Sequence, residues 1–272
     1  MSSSCSPTLC AECPGQRAGI LRRLGLKFDD WDYVAALAGN PNTGKSTVFN
    51  TLTGLRQHTG NWPGKTISRA EGGFVFAEKR FKLVDLPGTY SLLSASPDEE
   101  VARDFILFGR PDVTIIVVDA SQLERNLNLA LQVLQITDKA VICLNLMDEA
   151  RSHKIEIDVP GLSQDLGVPV VPCTARSGEG IGLLLEEVRR IVQGEIVCRP
   201  FRLHYNVLGL HEAISEISSM LVHAYPEMPH REWVALRLLE GDRRVEEALQ
   251  KDDLQVLLES SNEASSSARG ES

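Results

Sequence analysis

The sequence predicts an α/β fold, a mostly parallel sheet flanked by helices, followed by a small all-helical C-terminal domain. Three observations predict it. After Asp30, short apolar runs alternate with stretches of helical pattern, the order expected of a sheet covered on both faces. Val113-Thr114-Ile115-Ile116-Val117-Val118 is apolar nearly throughout, as a strand buried on both faces requires. Gly39-Asn40-Pro41-Asn42-Thr43-Gly44-Lys45-Ser46 fits G-x-x-x-x-G-K-[S/T] and lies between an apolar run and a helix-like stretch, the strand-loop-helix setting in which such a loop holds phosphates.

Composition bounds the reading. The chain has 272 residues and a formal charge of −9, enough for one medium domain with an accessory piece. No cluster of Lys and Arg offers a nucleic-acid surface. No apolar run approaches the roughly 18 to 20 residues that span a bilayer, and the N-terminus lacks a charged-then-apolar leader, so the chain as given reads as soluble and cytoplasmic. The expected organisation is an arm over 1–30, a nucleotide-binding domain over 31–193, a helical accessory domain over 194–260 and a polar, disordered tail over 261–272.

In the arm, Cys5, Cys10 and Cys13 include a C-x-x-C pair. Structural zinc takes four ligands and no fourth is evident nearby, so idle thiols are favoured over a metal or redox site. Cys143, Cys173 and Cys198 fall in or beside apolar stretches and read as small buried hydrophobes.

The first strand is Tyr33–Ala38, and Ser46–Leu52 is the helix after the phosphate loop. The glycines let successive N–H groups turn inward on phosphate, Lys45 reaches the β and γ oxygens, Ser46 can ligate Mg²⁺, and Thr47 continues the site. Next come Gly73–Phe76 and Phe81–Val84 as strands. Asp85-Leu86-Pro87-Gly88 then begins a loop 40 residues beyond Lys45. An Asp at that strand end can hold Mg²⁺ through water, and the Gly88 N–H can meet a γ-phosphate. D-x-x-G alone is weak, since both residues are common in turns; its position at a strand end gives it weight. Ser96-Pro97-Asp98-Glu99 has capping-box spacing with Pro at the first helical position, which predicts a helix to Phe108.

Val113–Val118, Ala140–Leu144 and Val168–Val171 complete the strands. Asn145-Leu146-Met147-Asp148 follows one of them, and the Asp148 carboxylate can accept from the N1 and N2 donors of guanine, a pair adenine lacks. A buried polar partner left unpaired discriminates strongly, which favours GTP over ATP. Leu146 stands where N-K-x-D has Lys, predicting modest affinity and quick GDP release. Cys173-Thr174-Ala175-Arg176, after the last strand, can present N–H groups to guanine O6.

Four such signals in this order resemble the G1, G3, G4 and G5 motifs of small GTPases, and the fold class is accordingly a P-loop GTPase. A switch I Thr over Mg²⁺ and the γ-phosphate is then expected within Thr59-Gly60-Asn61-Trp62-Pro63-Gly64-Lys65-Thr66, with Thr66 the choice and Gly64 and Lys65 beside the nucleotide. His58 and Trp62 flank that segment; an exposed His is usually solvated and a Trp usually packs.

G-N-P-N-x-G-K-S, G-N-W-P-G-K-T, D-L-P-G-T-Y-S and N-L-M-D together resemble the cytosolic domain of the ferrous iron transport protein B family over residues 33 to 193, G-N-W-P-G being the most specific piece. The resemblance implies GTP and GDP as ligands, Mg²⁺, and a helical domain followed by a membrane-spanning iron(II) pathway. It places the protein at the cytoplasmic face of a bacterial inner membrane, with a transmembrane iron-permease domain as partner and self-association as a further option. That membrane part is absent here, so the chain reads as a separated piece or a split subunit. In relatives sharing the phosphate-loop Asn, the matching residue helps bind a potassium ion that stands in for an arginine finger; here it is Asn42, whose alternative role is to cap its own loop.

Hydrolysis then rests on Lys45, Ser46, Thr66, Gly88 and Mg²⁺ for charge neutralisation and on a positioned water. Gly88-Thr89-Tyr90 offers no Gln to orient that water, which predicts slow intrinsic turnover. In the helical domain, Asn206–Tyr225 carries Val207, Leu210, Ile214, Ile217 and Leu221 at helical spacing; Glu232–Leu239 and Arg243–Leu258 follow, the charges of Arg243–Asp253 forming a solvated face. From Glu195 onward there are fourteen Asp and Glu against eight Lys and Arg, which removes the polybasic patch of a direct lipid binder. Two alternatives remain: a ribosome-assembly GTPase, which usually carries a basic RNA-binding appendage, and a nucleotide-gated interaction module in which GTP shapes switches 56–72 and 86–97 and turnover is incidental.

Overall fold

The structure is a computed structural model that describes residues 24, 26, 31–63, 65–93, 96–202, 209–225, 228, 230–242, 245, 246 and 249. These divide into two compact units, Asp29–Ile106 with Arg110–Arg202, and Leu203–Ser272 with Met1–Phe28 and Leu107–Gly109.

The larger unit is built on a seven-stranded sheet of β1 (Tyr33–Gly39), β2 (Gln57–Asn61), β3 (Ser68–Phe76), β4 (Lys79–Asp85), β5 (Val113–Asp119), β6 (Ala140–Asn145) and β7 (Val170–Pro172). In space the order is β2-β3-β4-β1-β5-β6-β7. The five strands β4-β1-β5-β6-β7 run parallel, while β2 and β3 pair antiparallel at one edge. All seven residues of β5 are buried, consistent with its central place.

The strands depart from the sequence expectation chiefly at three places, one being β7, which begins at Val170 rather than Val168. The strand expected over Gly73–Phe76 runs from Ser68, and β2 was not expected at all. Every residue of β2 is exposed, so it carries no burial pattern, and its backbone pairing to β3, Thr59 opposite Ala70, is what makes it a strand.

Helices in this unit are α1 (Lys45–Thr53), α2 (Pro97–Gly109), α3 (Leu123–Gln135), α4 (Met147–Ser152), α5 (Val159–Leu166) and α6 (Ile181–Val192). The end of α2 belongs to the smaller unit. The expected capping box is present: Glu99 N–H donates to Ser96 Oγ at 3.3 Å, and Ser96 N–H to Glu99 Oε2 at 3.4 Å. α5 starts at Asp158, whose carboxylate accepts from Gly161 N–H. One core cluster joins Ala35, Leu37, Leu83, Ile115 and Cys143 of the sheet to Val48, Phe49 and Leu52 of α1 and Leu184 and Val188 of α6. Alternate strand residues such as Ala36 and Ile116 are buried outside that cluster, so the sheet is covered on both faces, as the unbroken apolar runs require.

The smaller unit contains α7 (Leu210–Ala224) and α8 (Arg231–Leu239), which pack together. Leu210, Ile214 and Ile217 are half-buried and Leu221 buried, which is the predicted helical stripe; Val207 lies outside the described residues. Of Arg243–Leu258 only Val245, Glu246 and Leu249 are described, each in helix, with Val245 buried. The arm with Cys5, Cys10 and Cys13 and the tail over 261–272 lie outside the described residues. No helix among the described residues is long and apolar enough to cross a membrane.

Candidate functional site

Parallel strands place their C-terminal ends on one edge of the sheet, which is where open α/β sheets bind ligands. β1 ends in the phosphate loop, β4 in Asp85, β6 in Asn145, and Cys173 follows β7. The four motifs therefore meet on one edge although the first and last are more than a hundred residues apart in sequence.

The phosphate loop is tightly specified. Gly39 lies so close to β5 that a Cβ there would meet Val117 O at 2.7 Å. Asn42 and Gly44 take φ of 68° and 77°, a left-handed conformation that Asn tolerates and Gly adopts freely. Asn40 and Thr43 are buried, and Thr43 Oγ1 donates to Asn40 O at 2.9 Å. Asn42, Ser46 and Thr47 are exposed and Pro41 is half-buried.

Lys45 extends from the first residue of α1 to Asp85. Its Nζ forms an ion pair with Asp85 Oδ1 and donates to Leu86 O at 2.7 Å. Burial pushes the Asp85 carboxyl up from its ordinary value, with the Lys45 charge opposing. Gly88 lies in van der Waals range of the loop: a Cβ on it would sit 3.5 Å from Pro41 N. Pro87 is half-buried beside it. Beyond Gly88, Thr89 is buried and Tyr90 exposed beneath the Arg125 guanidinium, 4.8 Å from its ring centre. Gln132 of α3 accepts from Leu92 N–H at 2.7 Å and Ser91 Oγ at 3.1 Å, holding this segment from 40 residues away. No sequence pattern announced Gln132.

On the other side of the loop, Asn145 is 1% exposed. Its Nδ2 donates to Thr43 O at 2.9 Å and its Oδ1 accepts from Ala175 N–H at 3.0 Å. Gly44 has no room for a side chain because a Cβ would meet that Nδ2 at 2.4 Å. Leu146 is left-handed at φ 61°, which costs a non-glycine residue on the order of 1 kcal/mol, and starts α4, whose first turn carries Met147 and the exposed Asp148. Cys173, Thr174 and Ala175 are buried. Ala175 O accepts from Thr51 Oγ1 of α1 at 3.1 Å, a contact the sequence did not suggest.

The β2–β3 connection lies apart from this cluster. Trp62 is 3% exposed, packed edge-on to Phe105 of α2 at 5.5 Å with the Arg69 guanidinium 5.2 Å from its ring centre. Lys65 Nζ pairs with Glu100 of α2 at 2.7 Å. Thr66 is exposed in this bend, and no hydrogen bond joins it to Ser46 or Asp85 among the described residues. His58 is exposed on β2; Gly64 lies outside the described residues. The donor set of the cluster, the Ser46 hydroxyl and Asp85 carboxylate, is all hard oxygen and fits Mg²⁺.

A family model for ferrous iron transport protein B matches residues 33–188, the span that carries all four motifs, and one for the FeoB cytosolic helical domain matches 209–272. The chain belongs to the ferrous iron transport protein B family. The Fe(2+) transporter FeoB of Salmonella typhimurium is 44% identical over 212 residues, covering 76% of this chain and 27% of that protein; the chain thus spans about a quarter of the length of the curated FeoB relatives it matches. The cytosolic domain of L. pneumophila FeoB superposes with a TM-score of 0.73 at 32% identity, covering 84% of this chain and 89% of that one. A GDP form of the cytosolic domain of T. maritima FeoB gives 0.74 at 35% identity, covering 80% and 85%. These FeoB likenesses extend over both compact units rather than the phosphate loop alone.

Proposed function

We propose that this chain is the GTP-binding and GTP-hydrolysing part of a FeoB-type ferrous iron uptake system, working with a transmembrane iron-permease domain. The observation that supports the reading is Asn145, which ties the G-x-x-x-x-G-K-S loop to the loop bearing Ala175, at the strand edge that also carries Asp148. The GDP form of the T. maritima relative supports guanine nucleotide as the ligand.

In this arrangement Lys45 exchanges its Asp85 partner for the β and γ oxygens. The N–H groups of Asn42 to Ser46 and the start of α1 receive the phosphates. Ser46 and Asp85 would hold Mg²⁺, which neutralises charge on the β and γ oxygens when bound. Gly88, next to Pro41, supplies an N–H to the γ-phosphate. Thr66 completes the site after the β2–β3 connection moves from α2, a switch that accompanies nucleotide exchange. Asn42, exposed and left-handed, would hold K⁺ through its side-chain oxygen, and the ion would supply positive charge to the reaction. With buried Thr89 following Gly88 and no Gln to orient water, turnover without K⁺ is slow. Leu146 leaves the base without the Lys of N-K-x-D, which favours quick GDP release.

Equilibrium titration with fluorescent GDP and ADP tests the reading. Saturable binding of GDP in preference to ADP, lost in Lys45→Met, is expected; equal binding of both, or none, would overturn it.

A further inference from the structure

On the base side of the site, the turn from Cys173 to Gly180 closes on itself. Thr174 N–H donates to Glu179 O at 3.0 Å in an antiparallel bridge, and Gly180 comes so near β7 that a Cβ would meet Pro172 O at 2.1 Å, at a φ of 81°. Within this turn Glu179 alone reaches outward by an ion pair. Its carboxylate accepts from Thr174 Oγ1 at 3.1 Å and takes both arms of the Arg151 guanidinium, at 2.7 and 3.3 Å. Arg151 sits in α4, three residues after Asp148, so the two share one helix face. One fork thus clasps the helix that carries Asp148 to the loop that carries Ala175, partners 28 residues apart.

We propose that the Arg151–Glu179 pair is a latch that sets how fast guanine nucleotide leaves. Neither residue is part of the phosphate cradle; each is a positioning residue acting through Asp148 or Ala175. The inference rests on the proposed guanine site and adds to it the element that holds its two base-reading pieces together. Both side chains are about half exposed, 57% and 50%. A pair in that setting is weak and screened by salt, so it suits the tuning of a rate and leaves the fold to the buried contacts of Asn145 and Thr51. The Arg151 guanidinium also holds the Glu179 carboxyl below its ordinary range, which keeps the latch charged throughout the neutral range.

Displacement of fluorescent GDP from the full 272-residue chain, followed by stopped flow, tests the latch. Glu179→Gln, which keeps an acceptor for Thr174 while removing the charge, and Arg151→Gln are each expected to speed GDP dissociation about two- to fivefold. The double variant should be no faster than either alone, since one interaction is removed in all three. Association rates and the single-turnover hydrolysis rate should stay as in the parent, and the parent's dissociation rate should rise with NaCl while the variants' does not. Restoration of slow release by the swap Arg151→Glu with Glu179→Arg would add support. Unchanged dissociation in both single variants, or additive effects in the double, would overturn the latch. Failure of the parent to bind GDP saturably would remove the guanine site itself, and the latch with it.

Discussion

Asn145 Oδ1 accepts the Ala175 N–H at 3.0 Å, and through the same side chain Ala175 is linked to Thr43 of the phosphate loop. One amide, donor on one arm and acceptor on the other, sets the spacing between the loop after β1 and the loop after β7. Asn supplies both functions at the right length; Asp would turn an oxygen toward the Thr43 carbonyl.

Asn145→Ala removes both bonds and leaves a buried N–H and a buried carbonyl without partners. The expected loss is about 2–4 kcal/mol of unfolding free energy, read by urea denaturation. A larger fractional loss should appear in GDP affinity, because the two halves of the site then move independently. Retained affinity at reduced stability would show that the spacing role is wrong.

Lys45→Met removes the ammonium that reaches both Asp85 and Leu86. GTP hydrolysis should fall by about a hundredfold or more, the scale of losing a single donor to developing charge. Steady-state phosphate release at the nucleotide concentration that saturates the parent checks it.

Potassium dependence is tested by hydrolysis in KCl and in NaCl at matched ionic strength. A rate about tenfold or more higher in KCl, abolished in Asn42→Ala, is expected. Equal rates in the two salts would remove the potassium role and leave a slow GTPase.

Trp62 is held by Phe105 and Arg69, and its indole Nε1 is buried without a hydrogen-bond partner among the described residues. Trp62→Ala should cost about 3 kcal/mol, the low end for a buried Trp, because the unpartnered N–H offsets part of the packing. Thermal unfolding of the nucleotide-free chain measures this, and intrinsic fluorescence should report movement of this segment when a GTP analogue binds.

Cys143 donates no ionised thiol at neutral pH: its contact with Cys173 comes first, with burial adding to it, in raising its pKa well above the ordinary value. The sign follows from the native state staying protonated. Below about pH 9 neither state ionises and the contribution is complete; above it the unfolded thiol loses its proton first and stability falls. Thiol labelling mapped by mass spectrometry should find Cys143 and Cys173, both buried, modified only at the rate of unfolding. Rapid labelling of either in the folded chain would contradict their burial.

Much of the candidate site was legible in the sequence because the local backbone it needs is written in a few adjacent residues. A phosphate loop needs left-handed backbone and inward N–H groups within a few residues, and Asn42, Gly44 and Lys45 carry that requirement in their own types and spacing. The same holds for the Ser96–Glu99 capping box, and for β5, whose unbroken apolar run follows from burial on two faces. By contrast, β2 left no trace, since its residues are exposed and its order comes from the backbone of β3.

What the sequence by itself determined was the sheet with its flanking helices and the four motifs, each at the end of a strand. Only the tertiary structure decided that Asn145 joins Thr43 to Ala175, that Gln132 holds Ser91 and Leu92, that Trp62 and Lys65 are docked on α2, and that Arg151 clasps Glu179. Each of these joins residues that the chain separates and the parallel sheet brings to one edge or one face. A polar side chain reveals in sequence what it can bond, but its partner is fixed only when the fold sets the distance.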